Sequence, residues 1–204
     1  MSGSLNYKTQ RLVFLAKEGD ESALQRLCEV YGERVLRIVR LRMGQELRSK
    51  LESMDLVQDA FVSALRGLEG FTYQNEGDFL RWLAKIAENR IRDNLDKLHA
   101  DKRNIRREIP LNITGQAGKD SFVGTVGPID FATPSLIVSR REDMNKLENA
   151  MDKLRPEYKE VIILAKMEGL SGRELAEKLG KEPGAARALL SRALAALAEA
   201  YGEI

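Results

Sequence analysis

Apolar residues recur at steps of three and four along most of the chain, the spacing that predicts amphipathic helices. A short helix is expected over residues 9–17, where Leu12, Val13 and Leu15 share a side. Gly19 then reads as a stop and Asp20 as a new N-cap. From Glu21 the positions Ala23, Leu24, Leu27, Cys28, Tyr31, Val35, Ile38 and Val39 keep the helical period, so a long helix follows, broken at Gly44. Residues 45–53 are an irregular or short helical connection. The next helix, over 55–68, buries Leu56, Val57, Ala60, Phe61, Ala64, Leu65 and Leu68. Asp55 is expected to cap it, with Gln58 completing a capping box. Gly67 and Gly70 end it in a loop over 69–77, and Asn75 or Asp78 caps a helix over 79–98. That helix carries an apolar band of Phe79, Leu80, Trp82, Leu83, Ile86, Ala87 and Ile91.

The pattern fails over 109–138, which holds three of the five prolines and four of the sixteen glycines and reads as a linker. Extended, about 30 residues reach roughly 100 Å. Its short apolar pieces at 121–126 and 129–131 could dock on a surface or enter a channel. Periodicity resumes with Ser139 and Glu142 as an expected capping box, then Met144, Leu147, Ala150, Met151 and Leu154. Pro156 starts a helix that buries Val161, Ile162, Leu164 and Ala165 and stops at Gly169. Ser171 and Glu174 form a second capping box, opening a short helix through Leu175, Ala176 and Leu179 to Gly180. A longer helix over 185–200 follows, with Pro183 in its first turn. A short helix, a tight turn with Gly and a longer helix match a helix-turn-helix, although an ordinary helical hairpin has the same spacing. In the first case Ala186, Leu189, Leu190, Ala193, Leu194 and Leu197 pack inward. Ala185, Arg187, Ala188, Ser191 and Arg192 are then available to a major groove. The expected fold is all-α: two small helical domains, residues 1–108 and 139–204, joined by the linker at 109–138.

Composition narrows the class. The chain has 204 residues, 43% of them hydrophobic and 31% charged, which fits a globular protein of one large or two small domains. No stretch approaches the roughly 18 apolar residues of a membrane span, and residues 1–10 hold no signal-peptide core. A cytoplasmic protein is expected. One cysteine and one histidine exclude an internal disulfide and a Cys/His zinc site. Cys28 falls on an apolar stripe and reads as a buried, inert thiol, and His99 as an exposed or capping side chain. Asp55 and Asp59 lie one helical turn apart, but no third ligand joins them, so neither a metal nor a cofactor is expected.

The net charge of +2 conceals its distribution. Between residues 81 and 107 nine Lys/Arg face four Asp/Glu, a local +5 of the kind that attracts a polyanion. A second basic run, Arg34, Arg37, Arg40, Arg42, Arg48 and Lys50, is either a solvated face or an extension of a DNA-backbone surface. The helix from Asp55 thus offers acids and an amide, and the helix from Phe79 offers cations. That contrast points to two partners, a protein for the first and DNA for the second.

Two segments sharpen this reading. DLVQDAF at 55–61 with GDFLRWLAKIAENRIRD at 77–93 resembles conserved region 2 of bacterial sigma factors, and residues 154–197 resemble their region 4. The remaining sequence matches neither region 1 nor a folded region 3, a minimum similar to that of the extracytoplasmic-function (ECF) group. The resemblance implies that Asp55, Gln58 and Asp59 dock on the β′ clamp helices of core RNA polymerase. It implies that the 69–77 loop captures a flipped base of the −10 element, an act costing a few kcal/mol. Phe71 and Tyr73 suit stacking and Asn75 hydrogen bonding; Trp82, on the apolar band, suits the core better. Arg81, Lys85, Asn89 and Arg92 match the face that meets promoter DNA, and Arg187 and Arg192 the basic positions at the −35 element. It further implies contact with the β flap, a linker threading toward the polymerase active-site channel, and restraint by an anti-sigma factor. No catalytic chemistry is expected. The recognition helix departs from the family in its alanines: Ala185, Ala188 and Leu189 replace side chains that read bases or hold phosphates, which predicts weak or shape-dependent −35 recognition. The alternatives are a stand-alone helix-turn-helix regulator and, far less favoured, a carboxylate-dependent nuclease.

Overall fold

A computed structural model describes residues 2–107 and 134–203, and every regular element among them is a helix. The linker expected at 109–138 falls mostly outside the described residues, together with its two short apolar pieces.

The first helix, α1 (Ser2–Lys17), begins earlier than its apolar positions require. Gly19 takes φ +85°, a left-handed turn that suits a residue without a Cβ. Asp20 then caps α2 (Glu21–Arg42) by accepting from the backbone N–H groups of Ser22 and Ala23 at 2.8 and 3.2 Å. The expected stripe of α2 is inside: Ala23, Leu27, Cys28, Tyr31, Val35, Ile38 and Val39 are all buried. The Tyr31 hydroxyl shares a hydrogen bond with Thr9 at 3.0 Å, satisfying both polar groups in the core. Its ring meets Phe79 edge-on at 4.9 Å.

Cys28 is 4% exposed, and burial, with Glu29 nearby, pushes its thiol up to about 11. The thiolate is the reactive species, so Cys28 is expected to resist labelling by a disulfide reagent at pH 8 in the native chain. It should react within seconds once denaturant opens the fold; fast native labelling would contradict the packing.

After the short α3 (Gln45–Arg48), α4 runs Ser53–Gly67 and α5 runs Glu76–Arg107. Two expectations change here. The N-cap of α4 is Glu52, which makes no side-chain cap bond, and Asp55 is the third helical residue. Asp55 therefore lies in the first turn, where the helix dipole favours an anion, rather than at the cap. The helix α5 also continues past residue 98 and starts at Glu76, leaving residues 68–75 as the loop.

In the C-terminal half, α6 spans Pro134–Asp152. Ser139 lies inside it, so the expected capping box at 139–142 does not open this helix. Pro156 does start α7 (Pro156–Ile162), which passes into a π turn, Ile163–Met167, where the Glu168 N–H reaches back five residues to the Ile163 carbonyl at 3.0 Å. Ser171 and Glu174 form the expected reciprocal capping box of α8 (Gly172–Leu179). Gly180, at φ +61°, turns the chain into α9 (Pro183–Gly202), with Pro183 at its start.

Helices α1, α2, α4 and α5 surround one hydrophobic core, and α6 to α9 surround another. The two meet at the end of α2. Leu41, 1% exposed, belongs to the C-terminal core, and Met167 of the π turn packs against the N-terminal one.

Candidate polymerase and promoter interfaces

Leu56, Val57, Ala60, Phe61 and Ala64 bury one side of α4, and this leaves Asp55, Gln58 and Asp59 exposed on the other. At helical spacings of three and four they share one outward face. Among the described residues no group of three or more His, Cys, Asp or Glu gathers as metal ligands.

Loop 68–75 is held at both ends. The Phe71 ring stacks on Trp82 (centroids 4.6 Å, interplanar angle 28°) and meets Phe79 at 5.5 Å. Phe71, expected to stack on a base, has one face already covered by Trp82. Trp82 is half-buried against the core, as its place on the apolar band suggested. Tyr73 is half-buried too, and burial, with Glu76 and Asp78 nearby, raises the pKa of its hydroxyl. The exposed side chains of the loop are Glu69, Thr72, Gln74 and Asn75. Thr72 and Gln74 were not singled out from sequence, because stacking groups drew attention to the aromatics instead.

Asn75 proves to be the cap of α5. Its Oδ1 accepts from the Asp78 N–H at 3.0 Å, and its Nδ2 donates to Asp78 Oδ2 at 2.5 Å. Asp78 also pairs with Arg81, which reaches Glu174 of α8 at 3.2 Å. Further along α5, Lys85, Asn89 and Arg92 are exposed, with Lys85 and Arg92 both paired to Glu88 at 3.0 and 3.3 Å. Burial alone would raise the Glu88 pKa, but the cations Lys85, Arg42 and Arg92 outweigh it and hold the carboxyl below its usual range.

On α9 the expected division is present. Ala186, Leu189 and Ala193 are buried, whereas Ala185, Arg187, Ala188, Ser191 and Arg192 are exposed. Leu190, Leu194 and Leu197 are half-buried.

The second basic run needs correction. Only Arg37 and Lys50 are exposed. Arg34 bonds Glu76 at 2.6 Å and ties α2 to the start of α5. Arg40 grips Glu148 bidentately (2.5 and 3.1 Å) and reaches Asn145 at 2.8 Å. Arg42 bonds Glu160 at 2.8 and 3.2 Å and the buried Glu168 at 2.7 Å. Burial opposes its charge, but these carboxylates outweigh that and raise its pKa. Arg48 pairs with Asp152 and also donates to the Met43 carbonyl at 2.7 Å. Arg40, Arg42 and Arg48 are thus neither a solvated face nor a DNA surface; they join α2 and α3 to the C-terminal helices. His99 is exposed, 3.5 Å from Glu46.

An outward acid–amide patch, a polar loop, a basic helix and an exposed second helix of a helix-turn-helix occur here in sigma-factor order. The profile of the ECF sigma factor family matches residues 7–197. The chain belongs to the ECF sigma factor family. It is 32% identical over 191 residues to the ECF RNA polymerase sigma factor BldN of Streptomyces coelicolor, an alignment covering 94% of this chain and 65% of that protein. Among solved structures, it resembles CnrH in complex with the cytosolic domain of CnrY, with TM-score 0.55 and 21% identity over 94% of this chain and 96% of that one. It also resembles RpoE in complex with the anti-sigma factor NepR from Bartonella quintana, with TM-score 0.50 and 20% identity over 86% and 94%. These two likenesses are of fold. As a sigma factor, the protein directs RNA polymerase to promoters. No described helix is long and apolar enough to cross a membrane.

Proposed function

We propose that this ECF sigma factor divides its work between the two hydrophobic cores. Residues 1–108 bind core polymerase and open the −10 element, residues 139–204 contact the −35 element and the β flap, and 109–138 connects them. The observation that carries this reading is the outward face of α4. Asp55, Gln58 and Asp59 are exposed there together, next to a loop that exposes Glu69, Thr72, Gln74 and Asn75. The patch suits the β′ clamp helices. The neighbouring loop suits an unstacked −10 base, with Tyr73 as stacker, Asn75 as hydrogen-bonding group and Phe71 behind them on Trp82. Arg81, Lys85, Asn89 and Arg92 suit the surrounding phosphates.

On α9, Arg187 and Arg192 suit guanine edges or phosphates, and Ser191 can add one polar contact. Ala185 and Ala188 offer only methyl groups, so the loop carries more of the promoter choice than the recognition helix does. The protein acts in the cytoplasm and performs no chemistry of its own. An anti-sigma factor is a further partner, as NepR is for RpoE.

The test is transcription from a promoter library with purified core polymerase, comparing the parent with Asn75→Ser. Serine still caps a helix, whereas alanine would remove the cap and cost about 1 kcal/mol as well as the amide. Asn75→Ser is expected to slow opening several-fold, read by permanganate reactivity of unpaired thymines, with duplex binding unchanged. Equal losses in both measurements would argue against base capture. Failure to transcribe any promoter would remove the sigma assignment.

A further inference from the structure

We propose that Lys17 is a positioning residue for promoter opening. From the end of α1 it fixes the backbone of loop 68–75 in the shape that receives an unstacked base. The proposal rests on the reading of that loop as the −10 contact.

The Lys17 ammonium donates to two loop carbonyls, Phe71 at 2.6 Å and Glu69 at 3.2 Å. Both partners lie more than 50 residues away in sequence. In the first half of the loop these two bonds add to the backbone bonds of Leu68, whose N–H reaches the Leu65 carbonyl at 3.3 Å, and of Phe71, whose N–H reaches the Leu68 carbonyl at 3.1 Å. An ammonium has three donors, so two convergent carbonyls fit it well. Lys17 is also the last residue of α1, where the helix dipole favours a cation.

Residue 71 is therefore fixed twice, by its carbonyl on Lys17 and by its ring on Trp82. Asn75 fixes the other end through its cap on α5. Only Thr72, Tyr73 and Gln74 lie between these anchors. Three residues span at most about 10 Å, so the segment has few conformations left to lose. Flipping a base costs a few kcal/mol, and a receptor ordered beforehand adds little to that barrier. Lys17 need not touch DNA to have this effect.

The experiment compares the full chain with Lys17→Met, which keeps the apolar stem, and Lys17→Arg, which keeps a donor for carbonyls. In the free protein, hydrogen exchange at the amides of residues 72–74 is expected to rise at least tenfold in Lys17→Met and to stay near the parent in Lys17→Arg. With core polymerase and duplex promoter, Lys17→Met is expected to open the −10 element about tenfold more slowly at unchanged core affinity, with Lys17→Arg restoring most of the rate. Unchanged loop exchange in Lys17→Met overturns the clamp, whatever the loop contacts. Faster exchange with normal opening, while Asn75→Ser opens slowly, overturns the positioning role but leaves base capture standing. Normal opening in both Lys17→Met and Asn75→Ser overturns the inference together with the base-capture reading. Equal slowing in Lys17→Met and Lys17→Arg, with equal loss of melting temperature, reduces Lys17 to a stability role and overturns it too.

Discussion

Alanine at both Asp55 and Gln58 is expected to lower the affinity for core RNA polymerase roughly 100-fold while leaving the helices folded. A hydrogen bond to a charged group is worth about 1.5–3 kcal/mol and a neutral one about 1. Together they amount to about 3 kcal/mol, or two decades in affinity. The cost to the fold is small because both side chains are exposed. Asp55 contributes only its favourable place in the first turn of α4, about 0.3–1 kcal/mol. In a chain of this size that lowers the melting temperature by no more than about 4 °C. Core affinity by fluorescence anisotropy and melting by circular dichroism separate the two effects. A folded double variant with parental affinity would sink the adaptor role of α4.

The second large effect is expected at Arg42. Its side chain is 11% exposed and serves Glu160 and Glu168, the latter 9% exposed. Removing one partner of a buried ion pair strands the other charge, at a cost of roughly 3–5 kcal/mol. Glu168 can escape that cost only by reaching water, and for this the C-terminal helices must leave α2. Arg42→Met is therefore expected to increase the radius of gyration and to lower the denaturant midpoint. The pair Arg42→Met with Glu168→Met, which replaces charge by apolar volume, should recover compactness, since apolar replacement of a buried pair is often neutral or stabilising. The resulting cycle isolates the coupling between the two groups. A single variant as compact and as stable as the parent would show that these charges do not hold the two halves together.

What the sequence revealed follows the range of each interaction. The buried stripe of α2, the capping box of Ser171 and Glu174, and the starts at Pro156 and Pro183 are decided within a turn or two, and local patterns expose them. So is the outward set Ala185, Arg187, Ala188, Ser191 and Arg192, which follows once Ala186, Leu189 and Ala193 face inward. Local motifs also mislead. Ser139 with Glu142 has capping chemistry, yet the chain is already helical there; Asp55 with Gln58 has it too, two residues inside α4. Arg40 and Arg42 of α2 were ambiguous for a different reason. Their carboxylate partners lie 108 to 126 residues away, and no periodicity links such distant positions. Lys17 left no trace at all, since backbone carbonyls are common to every residue type. The Phe71–Trp82 stack crosses a loop, so neither ring announces the other.

The π turn at 163–167 bears on how such a junction can be kept. It accommodates one residue more than an α-helical turn, so the side chains beyond it are rotated by about 100° relative to an uninterrupted helix. Glu168 owes its direction toward Arg42 to the way the turn absorbs that surplus residue. Deleting Ala165 would turn this i to i−5 bond into an ordinary i to i−4 bond, leave Ile163 and Leu164 in their core places and keep the carboxylate directed at the guanidinium. The attachment of the C-terminal half to α2 thus depends on which way the helix face points beyond the turn, not on the number of residues within it. The π turn is therefore a place where this helix tolerates a single-codon deletion without loss of the ion pair.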